Sequence, residues 1–331
     1  MGRFLQKEKH RQAEFKSTSE FFSDRARADG IFKGKARPFC LPVEYSDENI
    51  FKPVRQQAIE YFADLKIKWH QGQNGNPSNH LCDSQVCCVN FLFPFSREPQ
   101  ALIELLRPIF PDVQEMLTIE KPGQFVSFEW IGLENYLGER MASKNGSRTR
   151  GANFTSADAA VMFKRTDGKK HFVLIEWKYT ESYGGTPLKI AKSGTDRTKI
   201  YEHLFVRDDC PINKKLLPDF DSLFFEPFYQ FMRQQFLAHE MERNKELGSD
   251  IVTLLHIAPE HNTDFLKITS PRLHGLGKSA IEVWKNLVKT DRFVSVSVEE
   301  IFGNPKIQKY IQMKAWREYV NERYVWLVEN S

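Results

Sequence analysis

The sequence predicts an α/β protein with a mixed central sheet flanked by helices and a helical N-terminal region before it. Three observations carry this. Two apolar runs, residues 156–163 (Ser-Ala-Asp-Ala-Ala-Val-Met-Phe) and 171–178 (His-Phe-Val-Leu-Ile-Glu-Trp-Lys), flank a polar turn. That turn contains Asp167-Gly168, which supplies the positive φ of a tight β-hairpin. Further strand signals at 251–257 and 293–298 are separated from the hairpin and from each other by segments with helical spacing.

Taken in order, residues 1–40 hold ten basic and five acidic residues with little periodicity, and read as a partly ordered arm or irregular helix rather than a DNA-contacting extension. Val54, Ala58, Phe62 and Leu65 have helical spacing, with residues 46–49 in front as capping candidates. The Gly-, Asn- and Pro-containing segment 71–77 breaks that helix. Ser84 is placed to cap a helix running to Phe93, with Val86, Val89 and Leu92 apolar and Gln85 on another face. Residues 99–118 read as short helices interrupted by Pro108 and Pro111. Val126, Trp130, Leu133, Leu137 and Met141 make a helical stripe that carries Glu129 beside it. Phe228, Phe231, Met232, Phe236 and Leu237 define another helix, with Glu226, Tyr229, Gln230, Arg233 and Gln234 as a polar stripe. The chain closes with an aromatic-rich helical tail over 305–326. The expected division is a helical region over 1–120 and a core with a C-terminal helical extension over 121–331.

The hairpin holds the chemistry. Side chains alternate across a strand, so Leu174, Glu176 and Lys178 share one face while Val173, Ile175 and Trp177 pack on the other. Buried charges persist only when paired or bound to a metal, because each alone would cost several kcal/mol, roughly. Asp158 on the preceding strand comes near Glu176, giving two carboxylates and one lysine. Two carboxylates suit Mg²⁺, and the lysine can act on a metal-bound water and on the charge that builds on a phosphate under attack.

Asp158, followed after seventeen residues by Glu176-Trp177-Lys178, resembles the PD-(D/E)XK nuclease superfamily of restriction and repair endonucleases. Ala157 stands where many members carry proline. The wider text, at 84–95, 128–132 and 175–182, is similar to a bacterial restriction-endonuclease-like subgroup. The resemblance implies a Mg²⁺-dependent nuclease, with Mn²⁺ as an alternative ion, cutting phosphodiester bonds to leave a 5′-phosphate. It implies Asp158 and Glu176 as metal ligands and Lys178 as the residue that positions the water. Glu129 and Gln230 are implied as supporting members. The rival reading is a nuclease-like domain that only binds nucleic acid. Glu14-Phe15-Lys16 repeats the Glu-x-Lys pattern in a polar segment without an aspartate strand before it, and is expected to be irrelevant to the site.

Charge supports a polyanionic partner. The net charge is +4, yet residues 140–199 hold thirteen basic and five acidic residues, so this segment carries the excess. Arg148 and Arg150 in the segment 143–151, and Lys189 and Lys192 in the glycine-containing loop 181–195, are the expected phosphate contacts. DNA is the expected partner, with RNA and a homodimer left open. Lys278 and Ser279 end a P-loop-like string, but Arg272 occupies the place of its first glycine. The five cysteines form no repeated framework, and Cys82, Cys87 and Cys88 lack a common zinc spacing. No run long enough for a membrane span and no signal segment is present, so a cytoplasmic protein is expected. His256 reads as a core histidine.

Overall fold

The computed structural model describes residues 2–139, 148–152 and 154–328. Among these residues, six strands form the central sheet: β3 (Val113–Leu117), β4 (Val126–Trp130), β5 (Ala157–Arg165), β6 (Lys170–Trp177), β7 (Ile251–Ala258) and β8 (Phe293–Ser297). Two earlier strands, β1 (Gly30–Phe32) and β2 (Lys35–Arg37), form a separate hairpin. β3 and β4 both pair antiparallel with β5, β5 pairs antiparallel with β6, and β6, β7 and β8 run parallel. This is the mixed α/β sheet that the sequence predicts. The β5–β6 turn closes as expected, with Gly168 at φ +85 and its amide donating to the Arg165 carbonyl at 3.0 Å.

Strand parity divides the core into two layers. Val173, Ile175 and Trp177 of β6 join Val126, Phe128, Leu255 and Ile257 in one layer. It is covered by α1 (Arg3–Thr18), α2 (Arg55–Asp64), α3 (Ser84–Leu92), α4 (Pro99–Leu106), α8 (Val298–Phe302) and α9 (Lys314–Arg323). Phe172 and Leu174 join Ala160, Met162 and Leu254 on the opposite face, under α5 (Thr198–Phe205), α6 (Phe228–Arg243) and α7 (Ala280–Leu287). The crossover from β6 to β7 therefore carries α6 onto the face that bears Glu176.

The first layer runs across the boundary expected near residue 120, because N- and C-terminal segments interlock. Arg323 of α9 is buried and donates to Gln12 at 3.0 Å, to the Asn49 carbonyl at 2.8 Å and to the Leu81 carbonyl at 3.0 Å. Buried Glu8 of α1 accepts from Tyr179 at 2.6 Å and from the indole of Trp326 at 3.0 Å. Residues 3–18 are thus an ordered helix rather than an arm. A charged group buried in this way is stable only because its hydrogen-bonding capacity is met.

Three expectations about elements need correction. Residues 126–130 form strand β4, not the start of a helix, and 131–139 are irregular; Met141 lies outside the described residues. Val126 and Phe128 alternate with Ser127, and positive φ at Glu129, Gly132 and Gly138 prevents a helix from propagating. Residues 113–117 are strand β3 rather than helix. The cap of α3 is Asp83, whose side chain accepts from the Val86 amide at 3.0 Å, rather than Ser84. Lys16, in the polar segment that repeats the Glu-x-Lys pattern, is buried, with its ammonium bonded to the carbonyls of Ala28 and Cys40 at 2.9 and 3.0 Å.

Candidate active site

Continuing the β5–β6 pairing of Ala159 with Ile175 outward by one residue sets Asp158 opposite Glu176. Asp158 accepts the amide of Trp177 at 2.7 Å, which clips its carboxylate to the backbone between Glu176 and Lys178. Glu176 is fully buried and forms an ion pair through one oxygen with the Lys178 ammonium. Its other oxygen accepts from the side-chain amide of Gln234 on α6. The Lys178 amide is tied to the Ile257 carbonyl at 2.8 Å, so the parallel β7 partner fixes the end of β6.

Glu129 reaches this group from β4 by an unusual backbone. Its φ of +50 is rare for a residue with a Cβ, and the kink turns its side chain toward β5. Arg150 supports the kink. Its guanidinium donates to the carbonyls of Glu129, at 3.1 Å, and of Phe128, to Ser127 at 3.1 Å, and pairs with Glu120. The Glu129 carboxylate then accepts from Gln85 of α3 at 2.6 Å and from Ser156 at 2.7 Å. The Ser156 carbonyl accepts from Gln234 at 3.0 Å. An unbroken polar chain thus runs from Gln85 through Glu129, Ser156, Gln234 and Glu176 to Lys178.

The electrostatics follow from this crowding. Burial first, then the charges of Glu176 and Glu129, push the Asp158 carboxyl well above its usual range against the pull of Lys178. Glu129 is likewise raised by burial, against the hydrogen bonds from Ser156 and Gln85. Burial works to lower the Lys178 ammonium, but Glu176, Tyr183, Asp158 and Glu181 outweigh it and hold it well above its usual value. Three carboxylates with one ammonium leave excess negative charge in a poorly solvated place, and a divalent cation relieves that charge. Among the described residues no group of three or more His, Cys, Asp or Glu side chains is placed to hold a metal ion. The donor set fits Mg²⁺, which takes one or two carboxylates and keeps several waters.

Asp158, Glu129 and Lys178 open onto a cleft of about 940 Å³ that Gln85, Ser156 and Gln230 also line. Gln230 lies in the cleft wall, one turn from Gln234, and the contact to Glu176 is made by Gln234. The expected phosphate contacts are placed differently from one another. Arg148 donates to the carbonyls of Gly132 and Leu133 at 3.1 and 3.0 Å, and Arg150 is taken up by the Glu129 kink. Lys189 pairs with Asp221 at 2.8 Å, and Lys192 is exposed. Residues 143–147 of the expected basic segment lie outside the described residues. Besides Lys178, the lysines and arginines that line the cleft are Lys9, Lys33 and Arg37 from the N-terminal region.

A family model described as restriction endonuclease associating with ARP matches residues 8–325. The chain belongs to that restriction endonuclease family. No curated protein and no solved structure matches this restriction endonuclease family member. Two other sequence candidates have internal roles in it. His256 bonds Ser295 at 3.0 Å and stacks on Phe265, and Ser279 of the P-loop-like string caps α7 by accepting from the Glu282 amide. Among the described residues no helix is long and apolar enough to cross a membrane.

Proposed function

We propose that the protein is a Mg²⁺-dependent nuclease of the PD-(D/E)XK type that hydrolyses DNA phosphodiester bonds, with Mn²⁺ able to replace Mg²⁺. One observation carries the reading: Asp158, Glu129 and Lys178 line a single cleft, and Glu176, buried just behind it, is tied to them through Gln234, Ser156 and its ion pair with Lys178. Asp158 and Glu176 would hold the ion, with Glu129 as a further anionic neighbour. Bound there, the metal supplies Lewis acidity and lowers the pKa of a coordinated water.

The side chains do the rest. Lys178, paired with Glu176 and lining the same cleft as Asp158, orients the attacking water and offsets the charge that grows on the phosphate. Gln234 and Gln85 supply neutral donors, so they fix the carboxylates without cancelling the negative charge that attracts the metal. Arg150 sets the direction of Glu129 from behind.

The test is cleavage of linear, nicked and circular DNA with Mg²⁺, with Mn²⁺ and with chelator. Metal-dependent loss of substrate that disappears in Asp158→Ala is the expected result. DNA binding without cleavage under any of these metals would replace the nuclease reading by the binding-only one.

A further inference from the structure

The geometry points to the β1–β2 hairpin as the element that grips the DNA backbone at the mouth of the catalytic cleft; the inference rests on the nucleic-acid reading above. The sequence places a two-residue turn, Lys33-Gly34, between β1 and β2, both with positive φ, at +49 and +74. That is the turn geometry whose twist matches paired strands. It sets Lys33, Lys35 and Arg37 on one short ribbon.

A two-stranded hairpin is marginal alone, and this one is anchored at its base. Gly30 lies so close to the Leu41 carbonyl that an added Cβ would meet it at 1.8 Å, so no other residue fits there. Asn79 donates to the carbonyls of Ile31 and Leu41 at 3.1 and 2.7 Å. The buried Lys16 ammonium holds the carbonyls of Ala28 and Cys40 on either side of the hairpin. The tip is therefore presented as a rigid piece, which lowers the ordering cost of binding.

The charges on this piece lack carboxylate partners. Lys33, Lys35 and Arg37 form no ion pair among the described residues, whereas Arg150 and Lys189 are each paired with a carboxylate. Lys33 and Arg37 line the same cleft as Asp158 and Lys178. Two such cations in the cleft wall, with Lys35 beside them on the same ribbon, match a polyanion that must enter a carboxylate site, since the anionic site would otherwise repel the substrate. The partner is duplex DNA, contacted through phosphates rather than bases.

The experiment measures binding of a short DNA duplex by fluorescence anisotropy across a salt series in chelator, so that cleavage does not intervene. The full chain is compared with a Lys33→Gln, Lys35→Gln, Arg37→Gln variant and with a Lys285→Gln, Lys289→Gln variant, whose lysines are exposed outside the cleft. Neutralising the hairpin should weaken binding by about tenfold or more and reduce the slope of log K against log salt by about three, close to one for each phosphate that the hairpin no longer neutralises. The Lys285 and Lys289 changes should leave the slope as it was. An unchanged slope in the hairpin variant, while the parent binds steeply with salt, overturns the hairpin assignment and leaves the nuclease reading standing. Absence of duplex binding by the parent at low salt overturns both, and a hairpin effect seen on RNA with none on DNA overturns the choice of partner.

Discussion

Gln234 donates its side-chain amide nitrogen to the Glu176 carboxylate and to the Ser156 carbonyl, which joins α6 to the ends of β5 and β6 at the charged site. Glu176 is the strand residue most in need of this. It is fully buried, and its remaining oxygen is already taken by Lys178. The amide satisfies a buried anion without adding a second positive charge, so the negative balance of the site survives.

Gln234→Leu should therefore impair both folding and catalysis. Two acceptors lose their donor in a dry place, which costs about 1–3 kcal/mol each by analogy with other unsatisfied buried groups. Activity should fall by about 10–100-fold with a higher Mg²⁺ requirement, the range typical when a residue that orients a metal ligand is lost. Gln230→Leu, one turn away in the cleft wall, should leave the Mg²⁺ dependence of cleavage unchanged. Equal effects of the two substitutions on the Mg²⁺ titration would remove Gln234 from its special position.

Lys178 and Asp158 should separate by the step they affect. Lys178→Ala should reduce cleavage by about 10²–10⁴-fold, the range for loss of a group acting on the proton or the developing charge, while DNA affinity in chelator stays close to the parent's. Because it leaves Glu176 buried without its ion pair, the variant should also lose about 3–5 kcal/mol of stability, and circular dichroism must show it folded at the assay temperature. Asp158→Ala should instead require far more Mg²⁺ for any turnover. Full metal-dependent activity in Lys178→Ala would end the catalytic assignment.

Strand parity and the Asp-Gly turn make the hairpin legible in the sequence, because both depend on local rules that tertiary context rarely overrides. The same rules show Asp158, Glu176 and Lys178 sharing a face. The polar stripe on α6 is legible too, but Gln230 and Gln234 are four residues apart on one helix face, and only the depth at which α6 crosses β6 selects Gln234. Gln85 gives a weaker signal, one of a few polar residues in an apolar helical run, and its role depends on α3 lying close enough to β4 to reach Glu129. Glu129 stands out by position, yet its element reads wrongly as helix, since a kink at positive φ cannot be seen in a hydrophobic pattern. Net charge also misleads: Arg150 contributes to the basic count while its guanidinium is spent inside the fold, and apart from Lys178 the lysines and arginines lining the cleft come from a segment more than a hundred residues earlier.

Arg150 can be checked directly. As the support for the Glu129 kink it should behave as a positioning residue, so Arg150→Lys, which keeps the charge but not the fork of donors, should lose most of what Arg150→Ala loses. Thermal unfolding should fall for both, and cleavage should fall with an increased Mg²⁺ requirement. Were Arg150 a phosphate contact, the Lys variant would retain activity and only the Ala variant would change the salt slope of DNA binding.

Two buried histidines predict how stability responds to acid. His171 bonds Thr253 at 2.8 Å between Phe163 and Phe110, and burial, then Arg165 and Arg292, push it down to about 3. Burial, then Lys178 and Lys285, push His256 down to about 3 as well. The folded protein therefore keeps both rings neutral over a range in which the unfolded chain, titrating near the ordinary value of about 6.5, takes up protons. Their contribution is fully present above pH 6.5 and is lost progressively as pH falls from there toward 3. Between pH 7 and pH 5 each histidine should cost up to about 2 kcal/mol of stability. Buried carboxyls with raised values, such as Glu8, shift stability the opposite way, so the total slope is not diagnostic. The difference between two proteins is: His171→Gln, which can still bond Thr253, should lose up to about 2 kcal/mol less than the parent over the same interval in urea unfolding. Parallel pH profiles for the two would show that His171 titrates normally in the folded chain.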